Sequence, residues 1–167
     1  MKINIKSSAP LLVTWGVVSS PVGRLVIGMT EKKQLCRIAF LPKGKAEAVI
    51  TKWRKEWRKT EFIKGAIPKN WTQKAILLTG TKFQHTVWRA MAIVPKGYAT
   101  TYGEIARFIG KPKSSRAVGA ACGANPVPYI VPCHRVVAAN GGLGGFSGGL
   151  DIKKKLLKLE SNKSHVA

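Results

Sequence analysis

Residues 127 to 142 read VPYIVPCHRVVAANGG and set Cys133 beside His134, on a stretch stiffened by Pro128 and Pro132. A thiol is a strong nucleophile only as its thiolate, so it needs a base or a positive field to act at neutral pH. His134 is the base at hand. Side chains of adjacent residues point apart, so a bridging water suits this pair better than direct contact, and a carboxylate is needed to fix the tautomer of the imidazole. Beyond residue 62 the chain holds three acids, Glu104, Asp151 and Glu160. Glu104 completes a capping box and Asp151 stands where it can cap the helix DIKKKLLKLE. Glu160 ends that helix, where a carboxylate opposes the macrodipole and has no structural motive, and it is the candidate partner of His134. The bland alternative is a buried cysteine next to an ordinary surface histidine. A metal site is disfavoured because no second Cys or His lies at ligand spacing, and we expect neither metal nor cofactor.

The stretch GGLGGFSGG (141 to 149) follows. So much glycine rules out a stable helix or central strand, but it lets backbone N–H groups approach a ligand closely, with Phe146 available to stack on a flat group. We read it as a wall of the cysteine pocket.

The elements that hold these residues are legible in outline. LLVTWGVV, RLVIGM and QLCRIAFL, separated by turn chemistry, predict an antiparallel meander in the first forty residues. KAEAVITKWRKEWRK (45 to 59) predicts an amphipathic helix with Val49, Trp53 and Trp57 on one face, the tryptophans being core anchors rather than base-stacking platforms. KGAIPKNW (64 to 71) reads as the connection to a second, helical unit. There Thr81 with Gln84 and Thr101 with Glu104 form two capping boxes, and Phe83, Val87, Ala90, Met91 and Val94 line one helix face. A third helix, capped by Ser114 or Ser115, runs to about Ala124. With its predecessor it has the layout of a helix-turn-helix. Beyond Arg116 this helix carries only Ala, Val, Gly and Cys, so it lacks the long side chains that read base edges. Small residues instead let it press against a sugar-phosphate wall, or let a neighbouring element pack closely. The class is α+β: a small antiparallel sheet with a helix over 1–78, then a mostly helical domain over 79–167.

The chain has 29 Lys plus Arg against 7 Asp plus Glu, a net charge of +22, which points to a polyanionic partner. Three cysteines, an odd and sparse set, suit a reducing compartment. With no leader-like segment and no long apolar run, we expect a cytoplasmic protein, or a nuclear one if the source has a nucleus.

From Gly80 to Glu160 the chain resembles the O6-alkylguanine-DNA alkyltransferases, also called methylated-DNA–protein-cysteine methyltransferases. The likeness rests on GTKFQHTVWRAM, YATTYGEIARFIGKP, SSRAVGAACGANP, VPCHRVV and GGLGGFSGGLDIKKKLLKLE. SSPVGRLVIG and QLCRIAF resemble the family's first domain more weakly. The resemblance implies a ribonuclease H-like first domain and a winged-helix-like second one. It also implies a single-use reaction in which Cys133 takes an alkyl group from O6 of guanine in duplex DNA, with O4 of thymine a second target. His134 would deprotonate Cys133 through a water and Glu160 would orient His134. Tyr102, Asn125, Phe146, Ser147 and the carbonyls of Cys133 and Val136 would serve the flipped base or the turns around it. Arg116 would fill the gap in the duplex, with Ala117, Gly119 and Arg135 also at the DNA, which the helix would approach through the minor groove. Phe146 stands where the family commonly has tyrosine. The zinc ligands that some members carry in the first domain are not evident. The protein would work as a monomer, with cooperative loading on DNA left open. The alternative is a non-catalytic alkylguanine-binding protein that flags lesions for other repair pathways, but such relatives carry tryptophan where this chain has Cys133.

Binding to undamaged duplex should weaken with salt at a log-log slope of roughly −0.9 per phosphate neutralised. Neutralising Lys52, Lys55 and Lys59 together should leave that slope nearly unchanged, whereas removing Lys113, Arg116 and Arg135 should lower it. Equal reductions in a salt titration would make the first domain a DNA-contacting surface.

Overall fold

The computed structural model describes residues 2–41 and 43–161. They form two compact units that divide between Gly80 and Thr81. The final residues of the expected second domain, 162–167, lie outside the described set.

The first unit is built on the expected meander: β2 (Leu12–Ser20), β3 (Gly23–Thr30) and β4 (Leu35–Phe40) pair antiparallel. The sheet as a whole is larger and mixed. β5 (Glu61–Lys64) pairs parallel with β2, and β1 (Ile3–Lys6) pairs parallel with β6 (Ile76–Thr79), giving six strands in the order β1-β6-β4-β3-β2-β5. The segment 64 to 71 is therefore not the connection between units. It carries the chain from β5 to β6 within the first unit, through a short 3-10 turn at Trp71–Gln73. α1 (Ala46–Glu56) buries Ile50 and Trp53 in a cluster with Val13, Trp15, Val26, Cys36 and Phe62. The Arg37 guanidinium lies 4.2 Å from the centroid of the Trp57 ring and pairs with Glu56 at 2.5 Å. Both tryptophans are thus spent on the unit's own packing.

In the second unit both capping boxes are present. Thr81 opens α2 (Lys82–Ala92) and Thr101 opens α3 (Tyr102–Phe108), each with side-chain and backbone bonds in both directions. α3 ends in a Schellman arrangement: Gly110 takes φ +72°, and the amides of Gly110 and Lys111 donate to the carbonyls of Arg107 and Ala106. The chain then turns into α4 (Ser115–Gly123). Ser114 occupies the N-cap position, but its hydroxyl donates to the Lys111 carbonyl instead of capping the helix. α5 (Leu150–Ser161) closes the unit, with Asp151 in its first turn rather than at its cap.

The C-terminal carbonyls of α4 have no intrahelical donors, a general problem of helix ends. Buried Trp88 of α2 answers one of them: its Nε1–H donates to the Ala121 carbonyl at 2.8 Å. Trp88→Phe strands that acceptor, and we expect a loss of about 1–3 kcal/mol, read as a lower thermal midpoint. An unchanged midpoint would show that this bond contributes nothing net.

Candidate active site

Cys133, His134 and Arg135 form one 3-10 turn, which runs directly into the two-residue strand β8 (Val136–Val137). β8 pairs parallel with β7 (Thr100–Thr101), in the register Thr100 to Val136 and Thr101 to Val137. That short ladder explains how residues thirty positions apart meet, because Tyr102 begins α3 immediately after β7. Asn125 braces the approach from the other side. Its amide donates to the Val131 carbonyl at 2.7 Å and its side-chain oxygen accepts from the Val127 amide at 3.1 Å.

A cavity of about 270 Å³ is lined by Tyr102, Gly119, Cys122, Gly123, Cys133, Gly145, Phe146 and Ser147. This sits just below the roughly 300 Å³ at which pockets for drug-sized ligands begin, a size suited to one planar ring system. A larger groove on the first unit, lined by residues such as Leu11 and Trp57, contains no thiol or imidazole. Gly144 backs the Tyr102 wall: it has φ +67°, and a Cβ there would come within 2.7 Å of the Tyr102 hydroxyl.

Behind the cavity lies a buried polar group. His134 is 1% exposed, and its Nε2 is 3.0 Å from Glu160 Oε1. Arg135 clasps the same carboxylate, Nε to Oε2 and Nη2 to Oε1 at 2.8 Å each, while its Nη1 donates to the Val94 carbonyl at 2.5 Å. His134 Nδ1 is buried without a hydrogen-bond partner.

These surroundings set the protonation states. Burial pushes the Cys133 thiol up, against the opposing pull of Asn125 and Lys153, so the resting group is the thiol. Burial lowers His134 below 6.5 despite the opposing carboxylate, leaving a neutral base. For Glu160 burial acts upward, yet the hydrogen bonds from Arg135 and His134 outweigh it and hold the acid below its ordinary range. Tyr102 is raised, chiefly by burial, and remains a phenol. The arrangement therefore offers a protonated nucleophile, a neutral base with an open nitrogen, an ionised carboxylate behind that base, and a phenolic donor on the cavity wall.

The chain matches the family model "6-O-methylguanine DNA methyltransferase, DNA binding domain" over residues 82–162. It is 41% identical over 155 residues to the methylated-DNA–protein-cysteine methyltransferase of Methanosarcina acetivorans, covering 89% of this chain and 98% of that protein. The chain belongs to the methylated-DNA–protein-cysteine methyltransferase family. Its activity is alkyl transfer in DNA repair. The Methanosarcina barkeri member is 38% identical over 89% of this chain and 97% of its own length. Among solved structures, that of Mycobacterium tuberculosis OGT in complex with DNA superposes with a TM-score of 0.74 at 32% identity, covering 90% of this chain and 94% of that one. The O6-methylguanine-DNA methyltransferase of Pyrococcus kodakaraensis gives 0.67 at 26% identity, over 89% and 98%.

Within this methyltransferase the residues singled out by sequence fall into three groups. Tyr102, Gly119, Cys133, Phe146 and Ser147 share the cavity. His134, Glu160, Asn125 and Val136 form its buried backing, with the Val136 carbonyl accepting from Lys153 at 2.6 Å. Arg116 and Ala117 are exposed on α4, and with Ala120 and Gly123 they make a face of small residues headed by one arginine. Arg135 needs correction as a DNA contact. Its guanidinium is committed to Glu160 and Val94, which leaves it a brace of the turn. Sequence reasoning missed Lys153, which is fully buried, and Cys122, a second thiol on the cavity. The spacing 153, 156, 160 along α5 would have flagged the lysine, since Leu156 and Glu160 are buried on the same face.

Glu160→Ala leaves the partly buried Arg135 guanidinium without its carboxylate, for which we expect a loss of up to about 3–5 kcal/mol in urea unfolding. In the wild type the lowered values of both His134 and Glu160 mean that the unfolded chain takes up protons first as pH falls. Stability should therefore decline as pH drops from about 6.5 through the carboxylate range. Stability rising over that window would contradict the assigned states.

Proposed function

We propose that Cys133 is the alkyl acceptor and that the protein repairs O6-alkylguanine, and O4-alkylthymine, in duplex DNA, each molecule acting once. The observation that carries this reading is the buried thiol opening on a cavity walled by Tyr102 and Phe146, with a neutral His134 held by Glu160 behind it. The thiol proton passes through a water to His134 Nδ1, the nitrogen that Glu160 leaves open. Sγ then attacks the alkyl carbon, an S–C bond forms and the C–O6 bond breaks. The electron pair stays on the guanine, and the Tyr102 phenol is placed to supply a proton to the departing base. The resulting thioether resists water, so nothing regenerates the thiol.

A base inside a duplex cannot reach a buried thiol and must leave the stack, at a cost that a damaged pair lowers. Arg116, exposed at the start of α4, fills the gap, while Ala117, Ala120 and Gly123 let the helix lie close in the minor groove, where readout is largely independent of sequence. Asn125 holds the turn before Cys133, and the Ser147 amide and the carbonyls of Cys133 and Val136 contact the flipped base. We place the protein in the cytoplasm, or in the nucleus of a nucleated cell, acting as a monomer. No helix among the described residues is long and apolar enough to cross a membrane.

The test uses a duplex with labelled O6-methylguanine. Wild type should take up at most one label per molecule, and Cys133→Ser should take up none while still binding the duplex. Binding without transfer by wild type would make this a lesion-flagging protein, and repeated turnover would end the single-use mechanism. Arg116→Ala should slow repair within duplexes far more than reaction with free O6-benzylguanine. Equal losses on both substrates would make Arg116 a pocket or structural residue.

A further inference from the structure

Lys153 is the most deeply buried charge among the described residues of the second unit. It is 0% exposed, and its Nζ donates to the carbonyls of Val136 at 2.6 Å, Gly145 at 3.3 Å and Leu143. An ammonium has three protons to donate, and all three here go to backbone carbonyls. Among the described residues no carboxylate pairs with it, although burying an unpaired cation costs several kcal/mol. Packing alone does not call for this residue, since a methionine would fill similar space.

We propose that Lys153 is a positioning residue for alkyl transfer, its ammonium pinning the glycine-rich loop 141–149 to the backbone just beyond Cys133 and so fixing the wall that faces the thiol. The proposal rests on reading Cys133 as the acceptor. Of the loop's nine residues six are glycine, the residue that loses most backbone freedom when ordered. The loop's other bonds include short turn bonds, from Ala138 to the Gly142 carbonyl, from Gly141 to the Ala138 carbonyl, from Gly142 to Asn140 and from Gly149 to the Phe146 carbonyl, and the Gly145 amide at the Tyr102 hydroxyl. Yet Gly145, Phe146 and Ser147 must stand at a set distance from Cys133 for the cavity to hold a ring in line with the sulfur. The Val136 carbonyl lies three residues past Cys133, and Gly145 is a lining residue of the cavity. One ammonium therefore ties the nucleophile's turn to the opposite wall.

Its charge has a second consequence. Lys153 draws the Cys133 and Cys122 thiols down against the upward push of burial. The other titrating groups around Cys133 are Cys122 on α4, Tyr102 on α3 and His134 beside it, the last flanked by Arg135 and Glu160. Among these groups Lys153 is the cation whose field lowers both thiols.

The experiment compares wild type with Lys153→Met in the full-length protein by three measurements: amide exchange over 141–149, transfer from a duplex with O6-methylguanine, and the pH profile of Cys133 alkylation by iodoacetamide. We expect faster exchange confined to the loop and transfer reduced roughly 100-fold, the scale set by a 1 Å misplacement. The alkylation midpoint should move to higher pH. Loop exchange equal to wild type, or transfer within about threefold of it, overturns the proposal. If Lys153→Met does not fold, Lys153→Gln keeps amide donors without the charge, and the same outcomes apply. If wild type transfers nothing, the reading of Cys133 fails, and loop exchange alone decides the clamp.

Discussion

One buried carboxylate organises the second unit. Glu160, near the end of α5, is shared by the His134 imidazole and the Arg135 guanidinium, and Arg135 passes the connection on to the Val94 carbonyl beyond α2. Removing any member strands a buried polar group, so the three segments are fixed together. The carboxylate also decides chemistry. Since it accepts from Nε2, the proton of the neutral ring belongs there and the lone pair on Nδ1 is left open. Arg135, two residues past Cys133, contributes by keeping that carboxylate ionised and oriented.

Around this anchor the fold solves two problems that pull in opposite directions. In the proposed reaction a flipped base meets the thiol away from solvent, which requires burial, and burial raises the thiol. The remedies surround it: a neutral base that can take the proton, an asparagine that braces the turn, and the Lys153 ammonium nearby. α4 shows a similar compromise. Two glycines in a nine-residue helix cost roughly 1 kcal/mol each relative to alanine. A Cβ at Gly123 would meet nothing within 4 Å, and one at Gly119 only ordinary contact with the Tyr102 ring. Internal packing does not demand these glycines; both border the cavity, where a ligand needs the room.

Much of this was legible from the chain. The capping boxes at Thr81 and Thr101 rest on local bonds between residues three apart, which sequence displays directly. Cys133, His134 and Glu160 could be assembled because acids are so scarce in the second half that elimination works. Outside that class of signal the reading weakened. β1, β5 and β6 are four residues each and pair parallel with strands distant in sequence, so their partners leave no local trace. The segment 64 to 71 therefore resembled a linker. Arg135 was read as a DNA-facing cation and Lys153 drew no reading, because a basic chain offers many such residues. What holds them is a carboxylate and four backbone carbonyls contributed by other segments. Ser114 held the N-cap position but turned its hydroxyl back to Lys111, a choice between donating to a backbone carbonyl and accepting from a backbone amide that composition cannot resolve.

The central claim is that Glu160 fixes His134 as a neutral base with its open nitrogen at Nδ1. Nitrogen-15 NMR of the labelled imidazole at neutral pH tests this directly, since protonated and unprotonated ring nitrogens resonate in well-separated regions. The account predicts one neutral tautomer with the proton on Nε2 and none on Nδ1. A proton on Nδ1, or an imidazolium under those conditions, would contradict it.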